Sequence, residues 1–395
     1  MLIQSEAMRR LAPFGAATCR LCGASLRRTV LNLGRVALPL GTRADAETDH
    51  VHDLHIRMCD SCLLVQTQEP IGCDTRGPPP SRSEQEHAHR LAQSLRVRLA
   101  LNETSLVVEI SSQRSSLLPW FQQIGVPVLA ETTSVNAATA MDIAVRSGRA
   151  DLVLADDVLP LVPDLFDFAA GLTALLRPKG IVVLQVPHLL GIIQRAQFDA
   201  FRHDHRFYFS LSVIEQLLRS VGLRVFDAER LTDRGGTLRI YACHPRAPHT
   251  ARPALKAIRA VENSAGLRTP AAYDGFATRV TMAQEDIRDF LATRTAAGRR
   301  VAAYGIATLG TAMLNACQID QSRVAWVADP DGAHVGRFLP GCGIPVVSTD
   351  KLLEDRPSDL LILPWPRAPE LVADLVALRQ KGTQFWVMSP AVRRV

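Results

Sequence analysis

The sequence predicts an α/β protein in three parts, on three observations: two CxxC pairs near the start, and two separate stretches in which short apolar strands alternate with helices. Its 395 residues exceed what one hydrophobic core organises, and the parts divide at 1–85, 86–248 and 249–395. With 47% hydrophobic and 21% charged residues the chain has the composition of a globular protein. No apolar run approaches the roughly 20 residues that span a bilayer, so no membrane insertion is expected. The net charge of +6 and pI near 9.0 come from basic residues spread along the chain, not from a Lys/Arg block, which argues against nucleic-acid binding. In the opening "MLIQSEAMRRLAPFGAATC" the arginines follow the first apolar residues and no continuous apolar core precedes a cleavage site. A secretory signal is therefore not expected, and a cytoplasmic location follows.

The first part is read from its cysteines. Cys19 and Cys22 stand in "CRLCG", and Cys59 and Cys62 in "CDSC"; the other cysteines are scattered, which does not suit a disulfide framework. Four thiolates close a tetrahedron around Zn²⁺, which provides the folding free energy that so short a segment cannot draw from a core. With every position filled by sulfur, the metal is expected to be structural; redox chemistry is the minor reading, since no βαβ pattern surrounds either pair. Gly23 allows the knuckle turn, and "LRRTVLNLGRVALPL" alternates as strands do. His50, His52 and His55 precede the second knuckle and are expected to be loop or solvated histidines. The proline-rich "IGCDTRGPPPSRSEQEHAH" reads as a linker or a loop beside an active site, and helical spacing begins at about residue 87.

In the second part "SLVVEI" (105–110), "VPVLAET", "ADLVLADD" and "GIVVLQVP" are strands, with "SSQRSSLLPWFQQIG" and "PDLFDFAAGLTALLRPKG" as helices between them. Such alternation predicts a parallel, doubly wound sheet whose ligands lie beyond the carboxyl ends of the strands. Glu109, Ser111, Glu131 and Asp156 stand at those ends and are the cofactor-binding candidates. A nucleoside cofactor needs close backbone approach in the first loop, yet "EISSQRSS" holds no glycine and adds Arg114. Glu131 suits ribose hydroxyls and is equally an ordinary strand end. Further on, "RHDHRFYFSL" (202–211) packs two histidines, an aspartate and two arginines against three aromatics, as expected where a core meets a cleft. His205 can act as acid or base, Asp204 can orient it, and Arg202 or Arg206 can hold an anionic group. A charged strand edge is the alternative.

The third part opens with two long helical stretches (254–268 and 277–298) that bridge to a second α/β unit. There the strand "RRVAAYGI" runs through the turn "ATLG" into the helix "TAMLNACQ", and Tyr304 and Gly305 enter as binding candidates. Close strand–helix packing explains the glycines equally well. Asp329 ends the next strand, where a ribose-binding acid would sit.

Taken together, the paired CxxC module, "VVEI", "VLPLVPDLFDF", "QVPHLLGIIQRAQFDAFRHDHRFYFSL", "GGTLRIY", "AAYGIATLGTAML" and "LPGCGIPVVST" resemble the S-adenosylmethionine-dependent deoxysugar C-methyltransferases, which act on nucleotide-linked 4-keto sugars in antibiotic pathways. The resemblance spans nearly the whole chain. It implies a zinc-binding N-terminal module, a Rossmann-like methyltransferase core and a second Rossmann-like C-terminal α/β domain. It also implies a base that removes the proton alpha to a ketone, with His205 as that base, Asp204 where the family has Glu, and His203 completing the catalytic set. Arg202, Arg239, Tyr304 and Gly305 become the substrate-binding set. The chain departs from the family at Arg202 (a tyrosine), Leu161 (a histidine), the glycine-bearing "EIGSNDG" loop, the tyrosine-rich segment after the second knuckle, and Leu309 (a lysine). Three functions stay open: a sugar C-methyltransferase using S-adenosylmethionine, a non-catalytic homologue that partners another enzyme of the pathway, and a nucleotide-sugar ketoreductase using a nicotinamide cofactor.

Overall fold

Three sheets organise the chain in a computed structural model that describes residues 17–38, 42–44, 50–71, 81–111, 117–131, 135–232 and 235–395. The first holds β1 (Arg28–Ala37), β2 (Val51–Met58) and β3 (Val65–Thr67), all antiparallel. Its fourth strand comes from far along the chain, as described below.

The middle domain begins with α1 (Arg82–Leu99), whose N-terminus is closed by a reciprocal cap: Glu84 N donates to Ser81 Oγ, and Ser81 N to Glu84 Oε2. Then follow β4 (Val107–Ser111), α2 (Leu118–Gln123), β5 (Val128–Glu131), α3 (Ala137–Ser147), β6 (Ala150–Asp156), α4 (Leu165–Leu175), β7 (Leu176–Pro187) and α5 (Leu189–Gln194). β8 (Phe207–Tyr208), α6 (Leu211–Ser220), β9 (Arg224–Leu231) and β10 (Thr237–Cys243) complete it. The sheet order is β5-β4-β6-β7-β10-β9. Its first four strands are parallel, as expected, whereas β10 runs antiparallel to both neighbours. The five residues between β9 and β10 (232–236) are too few for a crossover, so the sheet is mixed.

Two expected helices are shorter than their sequence pattern. The first is only α2, which carries Pro119 in its first turn, and residues 112–116 of its expected span lie outside the described residues. The second stops at Leu175, because Pro178 cannot continue it, and Leu176 already belongs to β7.

Helices α7 (Pro253–Ser264) and α8 (Phe276–Ala296) lead to the third sheet. It contains β11 (Val301–Tyr304), α9 (Thr308–Ala316), β12 (Val327–Ala328), β13 (Val346–Val347), α10 (Lys351–Asp355), β14 (Asp359–Ile362), α11 (Ala368–Asp374), α12 (Val376–Gln380), β15 (Gln384–Val387) and β16 (Arg393–Arg394). Its order is β13-β12-β11-β14-β15-β16, parallel except for β16. Val30, Leu54 and Ile56 of the first sheet share a core with Val280, Leu291 and Met313 of the C-terminal part, while the cysteine knuckles pack into the core of the middle domain. Among the described residues no helix is long and apolar enough to cross a membrane.

Candidate active site

The two knuckles are built alike. Gly23 N donates to Cys19 O (2.8 Å) in one and Leu63 N to Cys59 O (2.9 Å) in the other, with Gly23 and Leu63 both in the left-handed region (φ 74° and 66°). Only the first uses glycine, so the second tolerates a Cβ penalty of about 1 kcal/mol to bring its thiols into place. All four Sγ atoms lie within 4.8 Å of one another, which fits a tetrahedral Zn²⁺ with Zn–S of about 2.3 Å. Gln66 Nε2 donates to Cys19 Sγ (3.2 Å) and Leu21 N to the same sulfur (3.4 Å), the outer donors that a thiolate cluster needs. His55 is spent on Thr29 Oγ1 (2.8 Å), away from the thiols. A cleft of about 530 Å³ between the second knuckle, α6 and α7 is lined by Cys62 with Arg219, Arg259 and Arg268. Glu215 and Glu262 line it as well, and Arg259 is paired with Glu215.

At the carboxyl edge of the middle sheet, register places Ser111 opposite Asp156 and Glu131 opposite Ile110. Glu109, in the middle of β4, is fully buried. The glycine-free loop lies outside the described residues from 112 to 116. Gln185 Nε2 donates to Asp156 Oδ1 (2.9 Å), and Arg239 Nε to Gln185 Oε1 (2.9 Å). Arg239, expected to meet substrate, is therefore buried inside the sheet and paired with Glu229 (3.0 Å).

The loop 202–206 leads into a strand edge and carries its charged side chains inward. β8, which ends it, is the missing fourth strand of the zinc sheet: Tyr208 pairs with Val65 and Phe207 with Gln66. Before β8 the backbone is clamped from both sides. Thr67 Oγ1 donates to His205 O (2.6 Å), Ile71 N to His203 O (2.8 Å), and Arg206 N to Pro160 O (2.7 Å) in the loop that follows β6. Tyr208 OH accepts from Arg202 N (2.9 Å). The stretch thus ties the zinc module to the carboxyl edge of the middle sheet.

Its side chains are arranged otherwise than expected. Arg202 Nε donates to Asp204 Oδ1 (2.9 Å), and its Nη2 pairs with Asp204 Oδ2, all within the interior. Asp204 is thereby committed to Arg202 and does not orient His205. Burial raises the Asp204 pKa, but the Arg202 charge and hydrogen bonds outweigh it and hold the carboxyl below its ordinary value. His203 Nε2 meets His52 O (3.2 Å) on β2 and faces the zinc module. His205 is buried with no hydrogen-bond partner for Nδ1. Burial, then the Arg202 charge, push its pKa down to about 3, with Asp204 opposing, so it does not titrate near neutrality but stays an uncharged imidazole. The crevice that Arg202 and His203 line with Ala312 and Asn315 of α9 is about 10 Å³, room for about one water.

In the C-terminal part both glycines have a packing reason. A Cβ on Gly305 would lie 2.8 Å from Pro364 Cγ, and one on Gly310 2.5 Å from Leu363 Cβ. Tyr304 packs in the core, and Asp329 Oδ1 accepts from Ile306 N (3.2 Å), bracing the turn. Nothing in this geometry brings Tyr304 or Gly305 to the loop 202–206.

Several contributors were not anticipated. Glu262, buried on α7, joins His188 Nε2 (2.9 Å) at the end of β7 and accepts from Leu211 N (2.7 Å) at the start of α6. Thr67, Tyr208 and Gln185 are the others. Only Gln185 carried a signal, as a polar residue within an apolar strand.

Three family profiles tile the chain: a zinc binding domain over residues 19–74, a methyltransferase domain over 85–228 and a C-methyltransferase C-terminal domain over 232–390. The chain is 29% identical, over an alignment of 402 residues, to C-methyltransferase NovU of Streptomyces niveus, covering 95% of this chain and 96% of that protein. Solved structures similar to part of it include a SAM-dependent methyltransferase from Archaeoglobus fulgidus (11% identity, 39% of this chain, 93% of that one, TM-score 0.32). Another is the 1,6-didemethyltoxoflavin-N1-methyltransferase of Burkholderia thailandensis with bound 1,6-didemethyltoxoflavin and S-adenosylhomocysteine (19% identity, 47% of this chain, 97% of that one, TM-score 0.29).

Proposed function

Because the chain belongs, as a divergent member, to the S-adenosylmethionine-dependent C-methyltransferases, we propose that it methylates the carbon next to the ketone of a nucleotide-linked deoxysugar. Bound S-adenosylmethionine supplies an electrophilic methyl group. The residues at the carboxyl edge suit that cofactor: the Glu131 side chain makes no hydrogen bond or ion pair among the described residues and offers both oxygens to a ribose diol, while Ser111 and Asp156 stand side by side at the neighbouring strand ends.

His205 accepts the proton alpha to the ketone at Nδ1. The C–H electron pair becomes the C=C bond of an enolate as the carbonyl π pair moves onto oxygen. The enolate carbon would then take the methyl group as that group's bond to the cofactor's sulfur breaks, with S-adenosylhomocysteine as the leaving group. A low pKa makes His205 a weak base, and the neighbouring Arg202 compensates by stabilising the enolate oxygen through its charge. The observation that carries this reading is the clamp of the His205 loop onto the residues after β6, Arg206 N to Pro160 O. The crevice of about 10 Å³ does not hold a sugar, so α9 has to move away from Arg202 and His203 for substrate to enter. That closure, together with the glycine-free first loop, favours a second reading, a non-catalytic relative that partners another enzyme.

The test is incubation with a nucleotide-linked 4-keto-deoxysugar in D₂O, followed by NMR. Deuterium enters the alpha carbon in the wild type, and His205→Ala slows that exchange by at least about 100-fold. Undiminished exchange in the variant places the base elsewhere. A wild type that neither exchanges nor methylates favours the partner reading.

A further inference from the structure

One row of side chains crosses the middle sheet at its carboxyl edge. Register places Ser111, Asp156, Gln185, Arg239 and Glu229 side by side on β4, β6, β7, β10 and β9. Side chains alternate along a strand, so the row shares a face with Leu154, Val183 and Tyr241, which pack beneath α1. Gln185 and Arg239 are buried, at 2% and 7% exposure, where an unmatched donor or acceptor is costly.

The direction of each hydrogen bond follows from one fact: arginine only donates. Arg239 Nε faces Gln185 (2.9 Å), so that amide must present its oxygen to Arg239 and its Nε2 to Asp156 (2.9 Å). Arg239 is itself held by Glu229 Oε2 (3.0 Å) and His87 Nε2 on α1 (3.0 Å), so its fork has no second orientation. The amide therefore has a single setting, and Asp156 Oδ1 receives a donor from the side away from Ser111. β4 and β6 are the strands between which the connections reverse direction, from β5 on one flank to β7 on the other, and that switch point is where doubly wound sheets bind ligand.

We infer that Gln185 and Arg239 are positioning residues, a relay anchored at α1 and Glu229 that fixes the Asp156 carboxylate toward the cofactor. The inference rests on the reading that the cofactor binds at this edge. It reassigns Arg239 from substrate contact to support of the cofactor site.

The test compares S-adenosylhomocysteine binding by calorimetry with thermal stability for wild type, Gln185→Met and Gln185→Glu. Methionine fills the space without donor or acceptor. Glutamate keeps the Arg239 contact but turns an acceptor onto Asp156. If Gln185 serves stability alone, the glutamate variant, with its new ion pair, matches or exceeds the methionine variant in every measurement. If it positions Asp156, the order in binding reverses: methionine weakens the complex about tenfold and glutamate about 100-fold at neutral pH. The glutamate loss then diminishes below about pH 5, as the facing carboxylates share a proton and a donor returns. Should the methionine variant fail to fold, the glutamate variant and its pH profile carry the test alone. Equal affinities in wild type and variants overturn the relay while leaving the cofactor reading intact. A wild type that binds no S-adenosylhomocysteine overturns both.

Discussion

His205 is held as an uncharged imidazole by its burial and by the guanidinium of Arg202, and the linkage sign follows. In the unfolded chain the imidazole titrates at its ordinary value near 6.5; folded, it does so at about 3. Between those values the unfolded chain binds more protons, so stability falls as pH drops from about 6.5 toward 3, by at most about 1.4 kcal/mol per pH unit. The depressed Asp204 pKa acts in the same direction at more acid pH, whereas Asp199, raised by burial, acts against both. Comparing wild type with the non-titrating His205→Gln isolates the histidine. The gap between their urea midpoints is expected to narrow from pH 7.5 to about pH 5; curves that stay parallel would show that His205 is not desolvated as described.

At the scale of elements, the second knuckle decides whether the zinc sheet forms. Cys59 and Leu63 hold its turn, β3 follows directly, and β8 adds to β3, so the metal supports the strand that ends the loop 202–206. Cys59→Ser is expected to lose the zinc, about one equivalent in wild type, and with it the docking of residues 202–206, although the face of the middle sheet beneath α1 keeps its own core. Metal analysis and hydrogen exchange at Thr67, Phe207 and Tyr208 check this; protected amides in a metal-free variant would separate the knuckle from the loop. The metal ligands were legible because CxxC spacing is local chemistry. The zinc sheet's fourth strand was not, because β3 and β8 lie some 140 residues apart and β8 is only two residues long. Likewise the apolar pattern of residues 163–180 hid a helix-to-strand switch, since a buried helix and a buried strand look alike in a continuous apolar run.

Across the whole molecule, the C-terminal part is fastened to the rest at separate points. Trp365 Nε1 and Ser389 Oγ both donate to Asp199, at 2.7 and 2.8 Å, from the far sheet to the middle domain. Arg43 and Phe338 exchange backbone hydrogen bonds of 2.9 Å between zinc module and C-terminal part. Ser83 Oγ on α1 reaches Glu370 Oε2 on α11 (2.7 Å). Asp199→Ala leaves the buried Ser389 hydroxyl and the half-buried Trp365 indole without their acceptor and is expected to cost about 1–3 kcal/mol. Because the Asp199 fastening and the closed crevice both lie between the C-terminal part and the rest, the same substitution is expected to speed substrate entry and to shift Trp365 fluorescence to the red. An unchanged spectrum and melting temperature would remove Asp199 from any control of that opening.

The sequence by itself determined the order of the three parts, the four zinc ligands, the alternation of strands and helices, and the candidate residues at the strand ends. Each is set by spacing along the chain or by the chemistry of one residue type. Only the tertiary structure decided what those candidates touch. It turned Arg202 inward onto Asp204, removed Asp204 from His205, embedded Arg239 behind Gln185, and assigned Gly305 and Gly310 to packing. The physical reason is that a charged side chain in the interior takes the best partner within reach, and reach is set by which strands lie adjacent, which residues distant in sequence decide.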